Sequence, residues 1–350
     1  METLTLVLLL AIAVLISAIA DRVIPKVSLP LIQVAMGVII AIAAHGTIVI
    51  ELEPNLFLVL FIAPLLYIEA KGADKAILWR NRGPILSLAI GLVVVTMLII
   101  GFTLNAILPS ISLAAALALG AALGPTDAVA VTSLSKQVSI PERQWGILKG
   151  ELLLNDASGI VCFQFAILAA STGSFSLLEA GEDFIIEFIG GLLFGALIGY
   201  ASNFALRKIR DIGIDSITFH VLFEICIPFV VYLAATAIHV SGIIAVVVAG
   251  LVNVIAPRTV SPSIAHMNIV SSSVWQVISF ALNGIVFVLL GTQIPTAMLY
   301  SWGDQSISNV TLLGLVALVT LLLLGTRFIW CVAMEYLHTR RDAKARFTRR

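Results

Sequence analysis

The sequence predicts an all-α polytopic membrane protein with about eleven transmembrane helices. Three observations carry that prediction. Hydrophobic residues make up 60% of the 350 residues, and the mean hydropathy is +1.10, far above that of a chain folding around one water-soluble core. Apolar runs able to cross the ~30 Å of hydrocarbon in a bilayer recur from one end to the other. Lys and Arg are sorted into alternate loops.

The eleven runs are 4–20, 29–44, 54–69, 84–107, 111–135, 142–170, 183–206, 216–238, 240–256, 272–291 and 308–337. The first ends in Ala18-Ile19-Ala20, a signal-peptidase-like site, but only Glu2 precedes it. Without a basic leading region it reads as a retained helix. The second, third and fourth are separated by loops of opposite charge, acidic at Glu51 and Glu53 and basic from Lys71 to Arg82. In the fifth, Gly124 and Pro125 break the helix beside Asp127, because proline donates no backbone hydrogen bond. The sixth holds Glu151, Asn155 and Asp156 near its middle. Gly190, Gly191 and Gly195 in the seventh sit inside an apolar stretch and read as helix-packing positions, not a phosphate loop. The eighth and ninth are divided by a short turn from His239 to Ser241, the tenth carries Asn283, and the eleventh carries Arg327.

Charge sets the orientation. Of the 20 Lys and Arg, Lys149 and Arg327 fall well inside spans. The others occupy alternate loops: Arg22 and Lys26; Lys71, Lys75, Arg80 and Arg82; Lys136 and Arg143; Arg207, Lys208 and Arg210; Arg258; and the tail after His338. The opposite loops hold Glu51, Glu53, Glu179, Glu182 and Asp304. By the positive-inside rule the basic tail is cytoplasmic and the N-terminus outside, in the cell (inner) membrane. The net charge of zero is uninformative, since the charges are sorted by side. Cys162, Cys226 and Cys331 lie within spans and imply no disulfide framework. The five His form no metal-ligand spacing, and nothing suggests a nucleic-acid partner or a cofactor.

Function concentrates on two aspartates. A carboxylate at bilayer depth costs at least roughly 2.5 kcal/mol, and such residues mark ion or proton paths. Asp127 lies beside the broken helix, and broken helices at the midplane build ion sites. In the next span Glu151 and Asn155 are four apart and share a face; Asp156 stands beside Asn155. Arg327, the one arginine deep within a span, needs a buried partner, and Glu151 is the natural one. Asn283 and Gln164 read as helix-packing groups, and Glu69 as the solvated end of its span next to Lys71.

These residues resemble the monovalent cation–proton antiporter family, in its bacterial sodium/proton exchanger branch. The specific parts are Gly124-Pro125-Thr126-Asp127 and Glu151-x-x-x-Asn155-Asp156. Supporting parts are Pro64-Leu65-Leu66-Tyr67, Ser241-Gly242-Ile243 and Asn283-Gly284-Ile285-Val286-Phe287. The resemblance implies an inverted-repeat antiporter fold working as a homodimer, with a core moving against a dimerisation domain. Mapped here, residues 1–83 and 216–291 form the dimerisation domain and 180–210 a linker helix. Residues 84–171 and 308–337 form the core, and 338–350 a basic tail. It also implies that Asp156 binds Na⁺ (or Li⁺ or K⁺) or H⁺, that Thr126 supplies ion oxygens, and that Asn155 and Asp127 stabilise the helix crossing. The transported ions replace any cofactor, and the chain is not an enzyme.

The family pattern has Ser at the position of Leu152, an acid at that of Lys149, and two further helices after the one carrying Arg327, which this sequence lacks. Lys149 lies seven residues before Asp156, on the same stripe and about 10 Å away, where a cation would repel incoming Na⁺. Lys149, Leu152 and Glu69 are therefore possible modulators. The chemistry follows from one carboxylate: burial disfavours its charged form and a bound cation favours it. A proton and a cation then compete for Asp156, and a cycle that moves only the neutralised group is electroneutral. Asn155 cannot titrate; Asp127 could supply a second titrating group. Two alternatives are a non-transporting antiporter-like subunit or fragment, and an intramembrane aspartyl protease, whose Gly-x-Gly-Asp pattern is absent here.

The loop charges predict that cysteines placed at Glu53 and at Arg210 label from opposite sides of the membrane. Labelling of both from one side by an impermeant maleimide refutes the eleven-span topology.

Overall fold

Backbone polar groups in hydrocarbon must be satisfied within their own segment, so a spanning chain is helical. The computed structural model follows that constraint. It describes residues 2–24, 27–43, 53–127, 131–132, 139–172, 177–213, 216–255, 262–303 and 308–347, and every regular element among them is a helix. The loop charges Lys26, Glu51, Lys136, Arg258 and Asp304 lie outside the described residues.

The helices are α1 (Glu2–Val23), α2 (Leu29–Ala43), α3 (Pro54–Gly72), α4 (Lys75–Arg80), α5 (Arg82–Ile107) and α6 (Leu113–Leu123). Then follow α7 (Glu142–Thr172), α8 (Leu177–Asp211), α9 (Ile217–Ala237), α10 (Gly242–Ile255), α11 (Pro262–Gly303) and α12 (Asn309–Phe347). Each of the eleven expected spans meets one of them; α4 is the additional short helix. Eight contain a segment long and apolar enough to cross a membrane; α2, α6 and α10 are shorter apolar helices. The differences lie at the ends. Helices α11 and α12 outrun their apolar runs because helix continues into polar sequence, which a hydropathy reading does not detect. Helix α6 stops at Leu123 and residues 131–132 are again helical, so the expected run 111–135 is interrupted, and the break falls at Gly124 and Pro125 as their chemistry dictates.

Two helices depart from α-geometry. In α3 a π-helical stretch, Leu58–Ile62, precedes Pro64. Proline withholds an N–H and its ring crowds the carbonyl four residues back, so the ladder slips there. In α5 the stretch is Ser87–Leu92. Its Ala89 carbonyl accepts a hydrogen bond from Ser158 Oγ of α7 at 2.7 Å. A side chain of α7 thus occupies a carbonyl inside the slipped stretch.

The chain divides into two compact units. One comprises residues 1–75, 128–140 and 185–305; the other comprises 76–127, 141–184 and 306–350. In the first, α2 crosses α11 at Gly37 and Gly291. A Cβ on Gly37 would stand 2.8 Å from Gly291 Cα, so the helices touch backbone to backbone. Leu10, Ala13 and Val14 of α1 pack with Phe61, Val288 and Leu289 nearby. Gly190, Gly191 and Gly195 line α8 against α10, the packing role expected of them. The turn between α9 and α10 places His239 at φ 58°, and Ser241 caps α10 by accepting the Ile244 N–H. In the second unit, Ile100, Leu104 and Ala116 join α5 to α6, while Leu117, Ala118 and Ala166 join α6 to α7.

Gly37→Ala is expected to lower stability by about 1–3 kcal/mol, because the added methyl meets backbone that cannot yield. Gly314→Ala meets open space and is expected to be neutral or to stabilise by up to about 1 kcal/mol. Thermal unfolding of both variants in detergent checks the contrast.

Candidate functional site

The site forms in the second unit, where α6 ends. Ser112 Oγ caps the start of α6 by accepting the Ala115 N–H at 3.2 Å. At the other end Gly124 and Pro125 turn the chain, and Thr126 and Asp127 follow outside any helix. The approach of α5 and α7 to this segment depends on glycine. A Cβ on Gly120 would stand 2.7 Å from the Met97 carbonyl oxygen, and one on Gly159 would run into the Pro125 ring. The broken end of α6 is therefore wedged closely between two helices, with a glycine at each of these two contacts.

Helices α7 and α12 furnish the polar groups. Glu151, buried in α7, pairs with Arg327 of α12 at 2.7 Å between Oε1 and Nη2. This is the partnership the sequence implies. The guanidinium does a second thing that the sequence does not reveal: Nη1 donates to Thr126 Oγ1 at 2.9 Å. Asn155 Nδ2 points at the Thr126 carbonyl oxygen at 3.5 Å, the outer limit of a hydrogen bond. Its Oδ1 is buried and accepts no hydrogen bond among the described residues. Asp156, partly buried, follows Asn155, and its charged neighbour is the exposed Asp127. Structure thus brings together Thr126, Asp127, Glu151, Asn155, Asp156 and Arg327. The Thr126 hydroxyl, expected to supply an ion oxygen, already accepts from Arg327.

The other singled-out residues fall elsewhere. Leu152 is buried at 2% exposure and serves packing. Lys149 is exposed, and its ammonium lies over the Trp145 ring at 5.1 Å. Trp145 is one turn back along α7, so the side chain reaches away from Asp156, not along the stripe toward it. Glu69 is partly buried in α3, in the other unit. Gln164 is exposed. No group of three His, Cys, Asp or Glu among the described residues forms a metal cluster.

That other unit holds a polar cluster that residue order conceals. Lys71, at the end of α3, pairs with the buried Glu224 of α9, and Ser271 of α11 donates to the other carboxylate oxygen. Tyr67 of α3 and Trp275 of α11, each four residues from a member of the cluster, pack on each other with ring centroids 6.0 Å apart. The sequence reading places Lys71 among loop cations because apolarity ends two residues earlier. One signal was available: Glu224 precedes Pro228 by four residues, and a glutamate within an apolar span needs a partner.

Residues 7–348 match the family described as sodium/hydrogen exchanger, transmembrane. The chain is 44% identical, over 94% of its length, to the sodium, potassium, lithium and rubidium/H(+) antiporter of Bacillus subtilis (strain 168), of which the match covers 49%. It is 36% identical, over 96% of its length, to the uncharacterized Na(+)/H(+) exchanger YjcE of Escherichia coli (strain K12), covering 62% of that protein. The chain thus spans about half the length of the Bacillus relative. In fold it is similar to the sodium proton antiporter MjNhaP1 from Methanocaldococcus jannaschii, with a TM-score of 0.63 at 18% identity, over 83% of this chain and 71% of that one.

The pair of Glu151 and Arg327 should respond asymmetrically to mutation. Arg327→Ala strands a buried carboxylate and is expected to cost about 3–5 kcal/mol. Glu151→Ala leaves a partly exposed guanidinium that still holds Thr126, and is expected to cost less. Glu151→Gln with Arg327→Met should recover much of the larger loss. Equal single effects that simply add in a thermal-unfolding cycle would show that the two are not partners.

Proposed function

The chain belongs to the sodium/hydrogen exchanger family, and from that premise we propose that it exchanges Na⁺ (or Li⁺ or K⁺) for H⁺ across the membrane, with Asp156 as the shared site. The family is one of transporters, which removes the intramembrane protease reading. The observation that carries the proposal is the placement of Asp156: a partly buried carboxylate beside Asp127, at the non-helical end of α6, inside a multi-pass membrane protein.

Each neighbour has a role in this reading. An unneutralised carboxylate is costly to desolvate, so Asp156 holds either a proton or a cation while access alternates between the two sides. Asp127 adds negative potential that draws the cation in. The carbonyl oxygens of the unwound segment and Asn155 Oδ1, the buried acceptor with no donor among the described residues, offer neutral oxygen ligands. Glu151 and Arg327 stand outside the exchange and hold Thr126 in place. One carboxylate carrying one charge per crossing makes the cycle electroneutral. The unit comprising 76–127, 141–184 and 306–350 is the transport core in this reading, and the remaining unit the dimerisation scaffold of a homodimer. The basic tail faces the cytoplasm and the N-terminus the outside. Support for the ion class comes from the Bacillus relative, named for sodium, potassium, lithium and rubidium exchange. The alternative of a non-transporting subunit or fragment leans on Lys149, on Leu152 and on the two family helices beyond Arg327; the turn of the Lys149 side chain toward Trp145 weakens the first of these.

In proteoliposomes, Asp156→Asn is expected to abolish Na⁺-dependent proton flux while the protein stays folded, and Asp127→Asn to impair it severely. Sustained exchange by the Asp156 variant would sink the proposal.

A further inference from the structure

We propose that Trp79, Arg82, Trp145 and Lys149 form a binding site for the phosphate headgroup of an anionic membrane lipid. The inference rests on the chain spanning a membrane and is independent of which ions it carries.

The first strand of the argument is depth. Lys149 lies seven residues into α7, about 10 Å along the helix from Glu142. An ammonium there is poorly placed in hydrocarbon, and helical side chains lean toward the N-terminus of their helix. Both effects carry the Lys149 head back to the membrane boundary, over the Trp145 ring at 5.1 Å. Arg82 opens α5 at the same boundary, and its guanidinium stands 4.7 Å from the Trp79 ring centroid. Trp79 is 72% exposed, an exposure that suits an indole lying among headgroups.

The second strand is proximity. A Cβ on Gly150 would stand 3.0 Å from Ile85 and Leu78 side-chain carbons, and one on Gly146 would meet Ile77. The α4–α5 corner therefore lies directly on the start of α7, which puts the two cation–aromatic pairs on one corner. Asn81 locks that corner: it is 2% exposed and donates from Nδ2 to the Ile77 carbonyl at 3.0 Å. With Asn81 turned in, Arg80 and Arg82 on either side of it are turned out.

The third strand is unbalanced charge. Neither Arg82 nor Lys149 belongs to the ion pairs described above, Lys71 with Glu224 and Arg327 with Glu151. Segments 76–86 and 141–150 together hold Arg80, Arg82, Arg143 and Lys149 against Glu142 alone, four positive charges less one negative, a net of three positive. Aromatic faces do not neutralise a cation; they hold it in place. A surface of indole and outward cations at the edge of the hydrocarbon complements a diester phosphate whose acyl chains run down beside α5 and α7.

The test uses the full chain, purified in detergent and titrated with short-chain phosphatidylglycerol or phosphatidylcholine. Phosphatidylglycerol should bind and phosphatidylcholine should not. Arg82→Gln with Lys149→Gln should weaken phosphatidylglycerol binding by about tenfold or more, since each basic residue near an anionic surface contributes about fivefold. Arg82→Lys, which keeps the charge, should stay within about threefold of the unaltered protein. Millimolar inorganic phosphate should not displace the lipid. Unchanged affinity in the double variant, equal binding of phosphatidylcholine, or displacement by phosphate overturns the proposal. If the double variant does not fold, the unaltered protein still decides the matter. In vesicles of equal phosphatidylglycerol and phosphatidylcholine, Trp79 emission, isolated by difference from Trp79→Phe, should be quenched more by brominated phosphatidylglycerol than by brominated phosphatidylcholine. Equal quenching overturns it.

Discussion

The second unit depends on one guanidinium with two obligations. Breaking α6 at Pro125 leaves backbone and hydroxyl groups without helical partners in a medium that offers no water. Arg327 meets part of that need through Thr126 Oγ1 and turns Nη2 to Glu151. Because the guanidinium is a rigid planar fork, satisfying one client fixes the direction of the other. The position of α12 relative to the start of α7 thereby sets the position of the unwound segment, and with it the distance between Asp127 and Asp156. Neither the acid nor the hydroxyl alone would define that geometry. Small residues at Gly120 and Gly159 let the broken end come close enough for the contact to form.

Much of this was legible in the chain. Spans announce themselves because hydrocarbon imposes a length and an apolarity that few soluble elements share. The helix break was legible because proline has one consequence wherever it falls. Glu151 and Arg327 could be paired because each was an anomaly needing a partner. Less legible was anything settled by register between distant helices. The second bond of Arg327 depends on which oxygen the unwound segment turns toward it. The Ser158 contact with Ala89 depends on a slipped stretch of α5 that has no residue signature of its own. Lys149 shows the limit of helical-wheel reasoning: its Cα lies on the Asp156 stripe, yet a long side chain carries its charge a turn away.

The Lys71, Glu224 and Ser271 cluster shows why apolarity is an incomplete guide to the scaffold. Both carboxylate oxygens of Glu224 are used, one by a cation on α3 and one by a hydroxyl on α11. Three helices are thus tied at one point by directional contacts. Packing among aliphatic side chains tolerates rotation and sliding; a carboxylate bound on both oxygens does not. The cluster gives the first unit a fixed register at that point.

The two ion pairs also differ in the order in which a ribosome makes them. In the scaffold the cation comes first: Lys71 precedes Glu224 by 153 residues. At roughly 5–20 residues per second, α9 emerges on the order of ten to thirty seconds later, into a bilayer that already holds its counter-ion. In the site the acid comes first, and Arg327 follows Thr126 by 201 residues. Glu151 and the frayed end of α6 must therefore wait, unpaired, until the last described helix is threaded. Biogenesis has a first unit whose ion pair can close early and a site that can close only once α12 is made, so a synthesis halted before α12 would leave an open, charged wound in the membrane for quality control to find.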